Sequence, residues 1–313
     1  MGRLTKERYD LFCVGGTSVD LVLRVPRMLV AGEKMPVQFA GRFPGGLIAN
    51  AACAAGRLGL HTGWSGRVGD DDAGQEFLDA FAEFGVDAGT AEVLPNSLTD
   101  LCVVLVDPCG ERSLLIVPTM QALPSLTPAV CQTLAHSRLG YTMPYELDWF
   151  EAFAGAVHTG GGQVVVDIES SVPLQGPDLL QALKWVDIAF CSEDGARFAS
   201  SQQDVEQAAS TLLALGPDLV VITLGSRGAA AFTKEKSYRT PGFRVPVVDT
   251  TGAGDCFHAA FLWAWLANHP LEDCLRTASA AAAIAVGHAG PRGGLPNGAE
   301  VGAFLKTHQP HET

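Results

Sequence analysis

The sequence predicts an α/β protein built on a mostly parallel sheet covered by helices. Short apolar runs suited to buried strands recur at residues 11–15, 163–168, 186–191 and 219–224, with helical periodicity between them. Strands that alternate with helices in this way pack as a parallel sheet with both faces covered. The second observation is Asp249-Thr250-Thr251-Gly252-Ala253-Gly254-Asp255, a small-residue turn joining the apolar run 243–248, expected as a strand, to a helix that starts at Asp255. Free amides and the positive dipole end at a helix start favour an anion there, and the glycines let the backbone approach it.

In chain order, the strand at 11–15 leads into Gly15-Gly16-Thr17-Ser18-Val19-Asp20, and helices are expected at about 48–58 and 74–84. The segments 21–43 and 101–120 break the strand–helix rhythm. The second reads as a β-hairpin of strands 102–106 and 113–117 with its turn at Pro108, Cys109 and Gly110. Further helices are expected at about 147–157, 204–215, 256–266 and 272–286, and Pro270 stops the third of these. No repeat or low-complexity linker divides the chain, so residues 1–313 read as one domain.

Composition narrows the partners. The chain has 313 residues, 47% hydrophobic and 18% charged, enough for a large buried core. Its formal net charge of −13 argues against nucleic acid and against an anionic membrane surface. Any bound phosphate must therefore be held locally, by main-chain amides and a metal ion. The eight cysteines form no C-x-x-C pair and read as reduced core residues, and the eight histidines show no zinc spacing. No uninterrupted apolar stretch of 18 residues occurs, and the expected location is the cytoplasm. A G-x-x-x-x-G-K-[ST] loop is absent and no G-x-G-x-x-G follows the first strand, against a Walker NTPase and a nicotinamide dehydrogenase.

The turn at 249–255 resembles the C-terminal signature of the PfkB, or ribokinase-like, family of carbohydrate kinases. Four more segments resemble that family in the same order: residues 15–20, Gly45-Gly46-Leu47-Ile48-Ala49-Asn50, residues 66–74, and Thr223-Leu224-Gly225-Ser226-Arg227-Gly228. The resemblance implies a three-layer sandwich with a mostly parallel central sheet and a small β-sheet lid, formed here by 21–43 and 101–120. It also implies a homodimer through that lid. The reaction it implies is transfer of the γ-phosphoryl group of ATP to a hydroxyl of a small sugar, with Mg²⁺.

By the same resemblance, Asp20, Gly45, Gly46 and Asn50 hold the sugar. From the residues alone, Asp20 reads rather as a solvated turn residue, a preference the resemblance reverses, and Asn50 also suits a helix cap and the glycines a tight turn. Gly252, Ala253 and Gly254 would cradle the phosphoryl group, and Asp255 would position or deprotonate the attacking hydroxyl, although an acid there also suits a plain cap. Its place at a helix N-terminus leads us to expect Asp255 ionised throughout. Thr223, Gly225 and Gly228 are expected on the nucleotide side, where Arg227 is either a phosphate ligand or an exposed turn residue. Ala282 lies in an alanine-rich helix that either lines the adenine pocket or simply packs closely.

The chain departs from the family at Ser192-Glu193-Asp194-Gly195, where many relatives carry Asn-x-x-Glu. Glu193 is the remaining candidate for indirect metal contact, and Asp249 for a monovalent cation such as K⁺. Ile48 replaces a smaller residue and bears on the pocket's width. Arg24, Arg27, Lys34, Arg42, Arg112 and Arg138 are dispersed rather than clustered as an anionic sugar requires, so a neutral monosaccharide is expected. The alternatives are a kinase for a nucleoside or a phosphorylated or acidic sugar, and a catalytically weak sugar-binding regulatory protein.

Overall fold

The computed structural model describes residues 8–108, 112–120, 123–170 and 174–309. The first half runs β1 (Tyr9–Val14), β2 (Ser18–Arg24), β3 (Gln38–Gly45), α1 (Leu47–Arg57), β4 (Thr62–Ser65), β5 (Arg67–Gly69), α2 (Asp72–Glu83), β6 (Val86–Asp87), β7 (Glu92–Leu94), β8 (Leu101–Val106) and β9 (Arg112–Val117). Then follow α3 (Pro128–Ala135), β10 (Ser137–Thr142), α4 (Leu147–Thr159), β11 (Gln163–Ile168), α5 (Gly176–Ala182), β12 (Ile188–Ser192), α6 (Glu193–Ser200), α7 (Val205–Leu215) and β13 (Leu219–Thr223). The chain continues through β14 (Ala229–Phe232), β15 (Ser237–Thr240), α8 (Ala253–Leu266), α9 (Leu271–Ala285) and α10 (Gly298–Thr307).

The central sheet has nine strands in the order β15-β14-β13-β12-β11-β10-β1-β4-β6. It is parallel except at β13–β14 and β14–β15. Strand periodicity sorts its side chains into two cores. Leu11, Cys13, Val165, Phe190 and Val221 face α1, α2, α8, α9 and α10, while Phe12, Val14, Val166, Ile168 and Ile222 face α3 to α7. That is the three-layer sandwich expected. Several helix starts carry the side-chain caps that stop fraying: Asp71 accepts from Gly74 N, Asp204 from Gln207 N, and Asn297 forms a reciprocal pair with Glu300.

A second sheet of four strands, in the order β3-β2-β8-β9, stands apart from the first. Its two outer pairs are antiparallel and β2–β8 is parallel. The rhythm-breaking segments thus become one sheet. The expected hairpin pairs Val106 with Arg112, and its turn residues Cys109 and Gly110 lie outside the described residues.

One expected strand does not form. Residues 243–248 carry no sheet pairing, and Pro246, which has no N–H to donate, sits in their midst. Val247 and Val248 are exposed, and the segment is tied instead to the end of α9 through Val248 N, which donates to Val286 O (2.8 Å). The alanines of α9 have a packing role: Ala278, Ala280 and Ala281 are fully buried, where small side chains let α9 lie close to α8.

Candidate active site

Three loops converge where the second sheet meets the first turn of α8. Gly252 adopts φ +76° and is hemmed by Pro291, since a Cβ added there would lie 2.6 Å from Pro291 O. A Cβ on Gly254, by contrast, would meet nothing within 4 Å. Ala253 N donates to Thr250 O (3.3 Å) and Cys256 N to Gly252 O (2.9 Å). Among the described residues this leaves the Gly254 and Asp255 amides as the unpaired donors of the first turn, beside open space. The arrangement fits an anion.

Asp249 shapes this loop from below. Its Oδ1 accepts from Thr251 N (2.9 Å) and Thr251 Oγ1 (2.7 Å), and its Oδ2 accepts from Gly290 N (3.0 Å). The carboxylate therefore ties the cradle to the turn that follows α9.

Asp255 is only 3% exposed. Asn50, in the first turn of α1, donates from Nδ2 to Asp255 Oδ2 (2.9 Å). Burial pushes the Asp255 carboxyl up to about 7, against the lowering effects of the Asn50 bond and of Arg292, with Glu169 and Asp20 pushing further upward. The expectation that Asp255 is ionised throughout is thereby corrected. Desolvation inside the protein outweighs the pull of the helix N-terminus.

The residue that organises this corner was not singled out in the sequence. Arg292 is 7% exposed. It donates from Nε to Asn50 Oδ1 (2.9 Å) and from Nη2 to Gly45 O (3.0 Å). Its guanidinium carbon sits 4.7 Å from the Phe77 ring centroid and 5.5 Å from that of Phe81, a cation–π arrangement on the face of α2. One planar fork thus joins β3, α1 and, through Asn50, α8. Arg292 lies in an irregular Gly-Pro-Arg-Gly-Gly loop with no periodicity to mark it.

Asp20, on β2, leans over Gly45, where a Cβ would come within 2.5 Å of its Oδ1. Ser18 Oγ donates to the same oxygen (2.9 Å), and burial raises the Asp20 carboxyl above its usual range. Gly46 has φ +89° and abuts Gly16 O, a left-handed turn that suits glycine. Asp20, Gly45, Gly46 and Asn50 are thus brought together beside Asp255. Ile48 is not a pocket wall. It is 1% exposed and packs against Gly15 in the core.

On the other side, Thr223 ends β13 at the carboxyl edge of the sheet, the edge where open α/β sheets bind ligands. The turn behind it requires Gly225 at φ +60° and Gly228 at φ +98°, where a Cβ on Gly228 would strike Thr240 O at 2.0 Å. Ala282 is partly buried on α9, which packs over β14 and β15. Arg227 pairs with Glu193, and Glu193 also accepts from Arg197 (2.8 Å). Ser192 Oγ caps α6 by accepting from Gly195 N (3.0 Å) and donates to Glu169 Oε2 (3.0 Å).

An anion cradle next to a buried, hydrogen-bonded carboxylate, with the polar side chains of Asp20 and Asn50 on one side and the sheet edge on the other, is the layout of a phosphotransferase. The chain belongs to the pfkB family of carbohydrate kinases, whose model matches residues 9–298. It is 28% identical to a ribokinase of Haemophilus influenzae over 96% of this chain and 99% of that protein. It is 30% identical to an ATP-dependent ribose-1-phosphate kinase of Halopiger xanaduensis, over 93% and 96%. The structure of Arabidopsis thaliana ribokinase complexed with ribose and ATP superposes with a TM-score of 0.86 at 27% identity, covering 96% of this chain and 99% of that one.

If Asp255 accepts a proton during turnover, kcat/KM should fall as pH drops through about 7, because the protonated carboxyl has no acceptor to offer. Arg292→Gln removes a positive charge that lowers the Asp255 pKa, so its acidic limb should move to higher pH. Profiles with a shared limb below about pH 5, the range of ordinary carboxylates, would contradict this.

Proposed function

We propose that this chain, an ATP-dependent sugar kinase by family and fold, phosphorylates a hydroxyl of a small neutral monosaccharide such as a pentose or ketohexose. The observation that carries the reading is the hydrogen bond from Asn50 to Asp255 (2.9 Å), which links the acceptor side to the cradle. Asp20, Asn50 and the amides of Gly45 and Gly46 hold the sugar. Asp255 takes the proton of the attacking hydroxyl as the new oxygen–phosphorus bond forms and the bond from the γ-phosphorus to the β–γ bridging oxygen breaks, with ADP leaving. The free amides of Gly254 and Asp255 bear the charge that develops on the phosphoryl oxygens. A carboxyl pushed up to about 7 is a better base than one near 4, and its acidity still matches late proton removal in a loose transition state.

The nucleotide lies along the sheet edge, with Thr223, Gly225 and Gly228 on its phosphates and Ala282 beside its base. A Mg²⁺ ion held there with the nucleotide phosphates would supply positive charge to the transferring group. Its fit rests on the donor set. Among the described residues no group of three His, Cys, Asp or Glu side chains could hold a metal alone, and Mg²⁺ normally takes one or two carboxylates with phosphates and water. A K⁺ ion near the 249–252 turn would draw on main-chain carbonyls beside Asp249, whose carboxylate accepts three hydrogen bonds from Thr251 and Gly290.

The neutral acceptor is favoured by where the cations lie. Arg27 pairs with Glu33, Arg42 lies 3.5 Å from Glu76, and Arg138 pairs with Asp10 at the far end of the sheet. The side chain of Arg112 lies outside the described residues. Arg292 directs Nε to Asn50 and Nη2 to Gly45 and lies among the carboxylates Asp20 and Asp255, which offset its charge, while its Nη1 has no hydrogen-bond partner among the described residues and is left as a donor for a sugar hydroxyl. The second sheet acts as a lid and as a homodimer surface, a reading supported by the exposure of Phe39 on β3 and of Leu115 and Ile116 on its edge strand β9. Among the described residues no helix is long and apolar enough to cross a membrane.

Asp255→Asn should lower kcat by about 10²-fold or more while ATP binding persists, and Asp20→Ala should act mainly on the KM for sugar. Steady-state kinetics with ribose, fructose and their phosphates test the acceptor, and a phosphorylated sugar favoured about tenfold in kcat/KM, roughly 1.4 kcal/mol, would overturn it. For the dimer, light scattering should give twice the chain mass for the wild type and the chain mass for Ile116→Asp. Identical masses would remove the lid interface.

A further inference from the structure

Along the carboxyl edge of the sheet, three polar side chains stand abreast on neighbouring strands. Ile168 is opposite Cys191, and Ser192 is opposite Thr223, so Glu169 follows β11 beside Ser192 and Thr223. Ser192 Oγ donates to Glu169 Oε2 (3.0 Å), which fixes the carboxylate across the gap between two strands.

The face matters as much as the edge. With period-two alternation, Asp167 and Glu169 share the side of β11 that carries Val165, and Val165 belongs to the core beneath α8. Both acids therefore face the helix whose first turn bears Asp255, and the Glu169 charge is felt there as an upward push on the Asp255 carboxyl. Asp167 stands behind, 1% exposed, with no hydrogen-bond partner for Oδ1. His258 Nδ1 lies 3.8 Å from Asp167 Oδ2, but burial holds that imidazole neutral by lowering it to about 3, so it brings no charge. An unpaired carboxyl oxygen in such a place lacks an acceptor's partner, and a cation with its water shell would supply one.

The neighbouring acids are otherwise engaged or missing. Glu193 is held by Arg197 and Arg227. Gly195, where the family resemblance leads one to expect an acid, has no room for a side chain, since a Cβ would lie 2.0 Å from Ile168 O.

We propose that Glu169, held by Ser192, is the carboxylate that organises the divalent cation bound with the nucleotide phosphates, with the free Oδ1 of Asp167 accepting from the cation's water shell. The acid absent from α6 is thus supplied by the adjacent strand. This rests on the ATP-dependent reading above. One or two carboxylates with phosphates and water are what Mg²⁺ takes, and Glu169 alone meets that count, with Asp167 reaching only the water shell.

The test uses Mn²⁺ as probe, by electron paramagnetic resonance on the full chain with a non-hydrolysable ATP analogue. Glu169→Gln should weaken Mn²⁺ binding in the ternary complex by about tenfold or more, the usual range for losing a supporting ligand, while metal-free analogue affinity stays as in the wild type. Glu193→Gln should leave Mn²⁺ affinity within about twofold, below that range. Should Glu169→Gln not fold, Glu169→Asp keeps the charge but shortens the reach, and it should still weaken the probe. Unchanged Mn²⁺ affinity in the Glu169 variant, or a larger loss in Glu193→Gln, overturns the proposal with the nucleotide reading intact. A wild-type chain that binds no analogue at all overturns both.

Discussion

The fork of hydrogen bonds from Arg292 is the constraint on which the site depends. A guanidinium at 7% exposure carries a heavy desolvation cost, and here it is offset by Asn50, Gly45 O and two aromatic faces. Taking away one partner of such a buried network costs about 3–5 kcal/mol, because the remaining groups stay buried without their match. The fork also has a directional effect. By accepting from Arg292, the Asn50 carbonyl oxygen fixes which way its amide points, so Nδ2 must face Asp255. A residue between α9 and α10 in sequence thereby sets the orientation of a side chain on α1 and the environment of a carboxylate on α8.

The same low-dielectric corner explains why the carboxylate behaves as it does. Helix N-termini stabilise acids by up to about 2 kcal/mol, and burial of a carboxyl can exceed that. Asp255 shows burial winning, with Glu169 and Asp20 adding negative charge and with Asn50 and Arg292 opposing. A carboxyl near 7 exists in both protonation states under ordinary conditions, which a strongly ionised acid does not.

Much of this was legible in the sequence because it rests on local chemistry. Gly252, Gly45 and Gly46 occupy backbone conformations or close approaches that the motif pattern marks, and Asp20, Asn50 and Asp255 lie within those motifs. The sheet was legible from its apolar runs, and the second sheet from the segments that broke the rhythm. What escaped depends on distant contacts. Arg292 lies 242 positions from Asn50, and Glu169 gains meaning only when the register sets it beside Ser192. The run 243–248 misled because its apolar residues read as a strand, whereas no neighbouring edge takes up its backbone and two of its valines are exposed. Asp255 was read from helix position, and the burial that decides its ionisation comes from the whole fold.

Burial raises Asp255, at the end of the Arg292–Asn50–Asp255 chain, well above the ordinary carboxylate range even though Asn50 and Arg292 oppose it. The most direct test of this is a ¹³C NMR titration of the ligand-free protein labelled at aspartate side-chain carboxyls, with the Asp255 signal assigned by its absence from Asp255→Asn. The expected midpoint is about 7, the value to which burial pushes this carboxyl. A midpoint at or below about 4, that of an unperturbed aspartate, would contradict it.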